Sequence, residues 1–131
     1  MGLQEKRKIK ELQELALPDI KKEVDSLCGA DITWEIDWDS FAASMDSLNC
    51  MDSYGFQYIL RAFKSICIDD LGKNAVRENV RKITFKKAQA IGDMKLTFEN
   101  SVLEIAALQE GSGWEGYYSE EQIRTLLEKS L

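Results

Sequence analysis

A chain of 131 residues, 44% apolar and 31% charged, has the size and balance of one soluble globular domain, expected over residues 1–131. It has no run near the ~20 apolar residues a membrane span needs. Its start, "MGLQEKRKIK", is charged where a secretion signal turns apolar, so none is expected. It also has no histidine, which excludes Ser–His and Cys–His nucleophiles, histidine metal sites and the usual proton shuttle near neutral pH.

In residues 3–16, Ile9, Leu12, Leu15 and Ala16 recur at helical spacing. Pro18 suits the first turn of a second helix, where its missing N–H has no partner to lose. Ile20, Val24, Leu27 and Cys28 form that helix's apolar stripe, and Gly29 supplies a left-handed stop. "ITWEIDW" then changes the period: Ile32, Trp34, Ile36 and Trp38 alternate with Thr33, Glu35 and Asp37, a half-buried strand. Residues 39–53 read as an irregular connection with a short helical turn. From Ser53 the helical period resumes through Phe56, Ile59, Leu60, Phe63, Ile66 and Cys67, with Asp52 or Ser53 as cap. Gly72 marks its end or a bend, and Ala75, Val76 and Val80 suggest another short helix.

The last third reads mostly as strand. "RKITFKK" alternates, and "MKLTFENSVLEIAAL" reads as a hairpin around Asn100–Ser101. Ser119 and Gln122 fit a capping box, Tyr118 and Ile123 the hydrophobic staple, and Ile123, Leu126 and Leu127 the buried stripe of a final helix. The expected fold class is α+β: an antiparallel sheet of about four strands (32–38, 82–88, 94–99, 102–108) with helices mainly on one face. A parallel sheet is not expected, because only one connection between strands is long enough for a crossover helix.

"EGSGWEGYYSEEQ" spaces Gly111, Gly113 and Gly116 like a dinucleotide fingerprint. That fingerprint needs a following helix and parallel strand, and an acid about twenty residues on; here the turn follows the last strand. Glu110 and Glu115 would repel phosphate, so no nucleotide is expected. Cys28, Cys50 and Cys67 are odd in number and widely spaced, without the pattern of a disulfide framework. Cys28 and Cys67 fall on apolar stripes and read as free core thiols, which implies a reducing, cytoplasmic setting. Cys50 has no cation nearby in sequence to activate it. Asp37 and Asp39 begin like a calcium loop, but "DWDSFAASMDSL" lacks the glycine and closing glutamate. Asp69–Asp70 reads as a helix boundary. No cofactor or metal is expected.

Net charge is −6, and its placement is uneven. Between Lys22 and Arg61 lie Glu23, Asp25, Asp31, Glu35, Asp37, Asp39, Asp46 and Asp52, with no basic residue. If the first strand lies beside strand 82–88, Glu35 and Asp37 can face Lys82 and Lys86, each pair worth ~0.2–1 kcal/mol. Asp39, Asp46 and Asp52 would still form an acidic rim. Such a rim speeds encounter with cationic proteins and disfavours nucleic acid. "KRKIK" at the N-terminus is interleaved with Glu5, Glu11 and Glu14, a solvated helix face with no nucleic-acid or membrane role.

The expectation is a non-enzymatic acidic module, of the inhibitor or immunity type, that binds a basic protein through Glu35, Asp37, Asp39 and Asp46. Trp114, Tyr117 and Tyr118 are contact candidates, for that partner or for a homo-oligomer. Two alternatives stand beside it. One is a histidine-free enzyme using Asp or Glu, whose sign would be a deep pocket with two inward carboxylates. The other is a cup for an apolar small molecule, lined by Trp34, Trp38 and Phe63.

Overall fold

The computed structural model describes residues 2–109 and 116–131. Gly111, Gly113 and Trp114 lie outside the described residues.

Leu3–Glu11 (α1), a π turn at Leu12–Ala16 and Leu17–Cys28 (α2) form one continuous helical stretch rather than two helices split at Pro18. The π turn ends two residues before the proline, which falls in the first turn of α2. The Leu17 N–H reaches back to the Leu12 carbonyl, and this wider turn just before Pro18 takes up the helix break a proline would otherwise impose. The extra residue also rotates the apolar stripe. Leu12 is fully buried, but Leu15, expected inward, is 63% exposed. Gly29 then stops α2 at φ 63°.

Thr33–Ile36 (β1) is shorter than expected because Asp37 takes the N-cap of Trp38–Phe41 (α3), its carboxylate accepting the Ser40 N–H. The segment expected to be irregular is helical instead. Ser44 caps Met45–Cys50 (α4) by accepting the Ser47 N–H. The helix continues through a second π turn, Met51–Gly55, into Phe56–Ile66 (α5). Asp52 and Ser53 therefore lie inside a helix and cap nothing. Asp69 caps Asp70–Asn79 (α6) through the Gly72 N–H. Gly72 is needed for close approach rather than to end a helix, since a Cβ there would lie 1.7 Å from the Ile66 carbonyl oxygen.

Lys82–Lys87 (β2), Lys95–Glu99 (β3) and Val102–Ala107 (β4) follow, then Glu120–Ser130 (α7) behind the expected Ser119–Gln122 capping box. Asn100 and Ser101 take φ 54° and 67°, as a two-residue hairpin turn requires. The four strands lie within two residues of their expected places, but the sheet is mixed and mostly parallel. The order is β1-β2-β4-β3; β1, β2 and β4 are parallel and only β3 is antiparallel, to β4. The expectation of an antiparallel sheet assumed that consecutive strands are neighbours. Instead β3 is the return stroke and sits at the edge, so the hairpin brings β4 back beside β2. Burial favours that order: "VLEIAA" holds four buried residues, whereas every residue of "KLTFE" keeps some solvent contact.

Ile83, Phe85, Leu103 and Ile105 join the helices in one core. Phe56 meets Trp34 and Phe85 edge-on at 6.0 and 6.3 Å, and Phe41 meets Phe85 at 5.8 Å. Packing of α2 on α5 brings Cys28 and Cys67 to a Cα separation of 5.3 Å, and they form a disulfide. This corrects the reading of both as free thiols. Their stripes face each other, a relation that a separation of 39 residues conceals. The inference of a reducing compartment rested on those free thiols and loses its support.

Candidate functional site

The acidic residues stand on β1 and the two short helices after it. Glu35, Asp37, Asp39 and Asp46 are all exposed. Of the eight acids of the uncompensated stretch, Asp25, Asp31 and Glu35 meet lysines. Lys21, at the near end of the stretch, holds Asp25 at 2.5 Å and Asp31 at 2.8 Å. That contact lowers the Asp31 pKa; burial works to lower that of Lys21, but the two carboxylates outweigh it and raise it. Parallel pairing of β1 with β2 brings Lys82 to Glu35 at 3.2 Å, the cross-strand pair expected from the sequence. The Glu35 side chain stays 63% exposed, so this is a surface contact of about 0–1 kcal/mol.

The second anticipated pair, Asp37 with Lys86, does not form. The Asp37 carboxylate is turned to the Ser40 N–H at 3.3 Å, and its own N–H continues the ladder to the Phe85 carbonyl at 2.9 Å. Among the described residues, neither Asp37 nor Asp39 is in an ion pair. Glu35, Asp37, Thr84, Lys86, Val102 and Glu104 line an open depression of about 520 Å³ on the polar face of the sheet. Glu104 is held by Lys95 at 3.3 Å.

Asp46 joins this edge to the aromatic candidates. One helical turn on, the Cys50 sulfur lies 3.8 Å from its carboxylate, and Cys50 in turn meets the Tyr117 hydroxyl. Burial, the Cys50 contact and the Asp46 charge together raise the Tyr117 pKa well above the ordinary tyrosine value. Burial alone raises that of Tyr118. The Tyr117 ring packs edge-on against Tyr54 at 5.5 Å, and Tyr54 stacks on Tyr58 at 6.2 Å. Tyr54 is 46% exposed. A knot of backbone holds this cluster in place. The Gln109 N–H donates to the Gly116 carbonyl at 2.9 Å beside Tyr117, and the Gln109 side chain lies against Gly55 beside Tyr54. A Cβ on Gly55 would meet Gln109 Oε1 at 2.8 Å and Phe85 Cζ at 3.1 Å.

The structure thus brings Asp46 and Tyr117 together and keeps Glu35, Asp37 and Asp39 on the adjoining edge. Tyr118 instead packs against the core, and Trp114 lies outside the described residues. Sequence reasoning missed Tyr54, Tyr58 and Arg61, whose guanidinium sits 5.9 Å from the Tyr58 ring centre. The available signal was the spacing of Tyr54 and Tyr58, four apart beside the stripe of Phe56, Ile59 and Phe63. Of the proposed apolar cup, Phe63 is fully buried and Trp34 packs on Phe56. Among the described residues, no three Cys, Asp or Glu side chains converge as a metal site, and no helix is long and apolar enough to cross a membrane. No protein-family model, curated protein or solved structure matches the chain.

Proposed function

We propose that this chain is a non-enzymatic protein-binding module, of the kind that neutralises a cationic protein, and that it meets its partner through Glu35, Asp37, Asp39 and Asp46. The observation that carries this reading is the exposure of Asp37 and Asp39 without an ion pair among the described residues. Unmatched surface carboxylates on one edge give a directional field that attracts and orients basic partners. The depression beside them does not favour carboxylate catalysis. It is open, and Glu35 and Glu104, two of its acids, are held by Lys82 and Lys95.

Capture of partners from the native cell extract, at low and then high salt, tests the reading. The comparison protein is Asp37→Asn/Asp39→Asn, which removes two charges and keeps a competent helix cap at residue 37. A basic protein that is released by salt and missing from the variant's eluate supports the proposal. An acidic partner, or one held equally by both proteins at high salt, rejects it.

A further inference from the structure

The acidic edge adjoins an aromatic recess whose chemistry suits one particular kind of side chain. Tyr58, Tyr117, Ser119 and Gln122 line a pocket of about 200 Å³. That is below the usual 300–1,000 Å³ of a small-molecule site and suits the head of one long side chain. Two of the four residues that line it are tyrosines, and the faces of tyrosine rings attract cations. The chain already shows this attraction, because Arg61 places its guanidinium 5.9 Å from the centre of the Tyr58 ring. The Ser119 hydroxyl accepts one backbone N–H, from Gln122, and has a second acceptor position. Asp46 acts on the neighbouring Tyr117 with negative charge.

We infer that the recess between Tyr58 and Tyr117 receives an arginine side chain of the basic partner, whose guanidinium lies against the two rings while the acidic edge draws the partner in. This rests on the proposed function and names the group that is recognised. Arginine is favoured over lysine because its planar, weakly hydrated head stacks on aromatic faces, whereas an ammonium holds its water more tightly. Arg61 is an internal competitor for the Tyr58 ring, which gives the proposal a signed prediction.

The test uses the full chain and two capped peptides, Gly-Arg-Gly-Arg-Gly and Gly-Lys-Gly-Lys-Gly, with ring and backbone resonances followed by NMR at fixed ionic strength. The arginine peptide is expected to shift the Tyr58 and Tyr117 ring signals and to bind several-fold more tightly than the lysine peptide. Tyr58→Leu should weaken it roughly 3- to 30-fold, the range of a cation–ring contact. Tyr58→Phe keeps the ring and should keep most of the binding, which controls for damage to the fold. Arg61→Ala, at an exposed position, should tighten it. Shifts confined to residues 35–46, with Tyr58→Leu binding unchanged, would overturn the recess and leave the acidic edge standing. Equal binding of the two peptides, or weaker binding by Arg61→Ala, would also overturn it. No binding of either peptide, by the parent chain or by Asp37→Asn/Asp39→Asn, would overturn both readings.

Discussion

The two long helical stretches of this molecule carry the same irregularity and use it differently. Each contains one π turn, Leu12–Ala16 in the first and Met51–Gly55 in the second, and each ends at a cysteine of the one disulfide. In the first, the wide turn takes up a proline and leaves Leu15 in solvent. In the second, it sets Tyr54 against Tyr117 and passes Gly55 under the Gln109 side chain. Such turns are often found at functional sites, but the turn alone does not make the site. What the second turn adds is its neighbours: Tyr54 meets Tyr117, and Gly55 lies against Gln109, two residues past the end of β4.

The largest expected effect tests what the two stretches share. Cys28→Ala/Cys67→Ala opens a loop across a separation of 39 residues. By loop-closure entropy it should lose about 4 kcal/mol of unfolding free energy in urea, and reduced parent protein should behave alike. A loss below about 1 kcal/mol would mean that packing alone ties the two stretches together. Gly55→Ala separates them. Overpacking Gln109 and Phe85 costs about 1–3 kcal/mol, offset by about 1 kcal/mol of helix propensity, for a net loss of about 1 kcal/mol and moved Tyr54 and Tyr117 ring signals. Pro18→Ala should change stability by less than about 1 kcal/mol, because Pro18 is exposed and the main effect is on the freedom of the unfolded chain. Equal losses in the two variants would break the contrast.

The smallest effect concerns alkaline pH. The fold holds Tyr117 neutral, so the unfolded chain gives up that proton first, near pH 10. Stability is therefore intact below that pH and falls as pH rises toward the folded value. Lys21 acts in the same direction, since its raised pKa favours the folded state until pH passes the ordinary lysine value of 10.5. Urea unfolding at pH 8 and pH 11 should show a decline that shrinks, without vanishing, in Tyr117→Phe. An undiminished decline would remove Tyr117 from the account.

Local signals were legible in the sequence wherever a residue acts on its own neighbours. Gly29, the Asn100–Ser101 turn, the Ser119–Gln122 box and the alternation in all four strands are of that kind. Three features depended on partners distant in sequence and were misread. The order of strands follows from which of β3 and β4 buries more surface, not from chain order. The disulfide needs α2 and α5 side by side. The helix over 45–66 is capped by Ser44 at a stretch of small polar residues whose helical period is weak, so tertiary packing of Leu48 and Met51, both fully buried, decides it. At the site, the charges of Asp37 and Asp39 were readable, but the Lys21 contacts and the stacking of Tyr58 on Tyr54 were not.

Because the bond between residues 28 and 67 encloses everything from 29 to 66, the acidic edge and two of the three clustered tyrosines lie inside one covalent ring. A protease that cut the chain at the exposed Ala43 would leave both fragments attached. The cut chain would run as a single band until a reductant releases it, and its recognition surface would survive a wound that separates most chains into pieces.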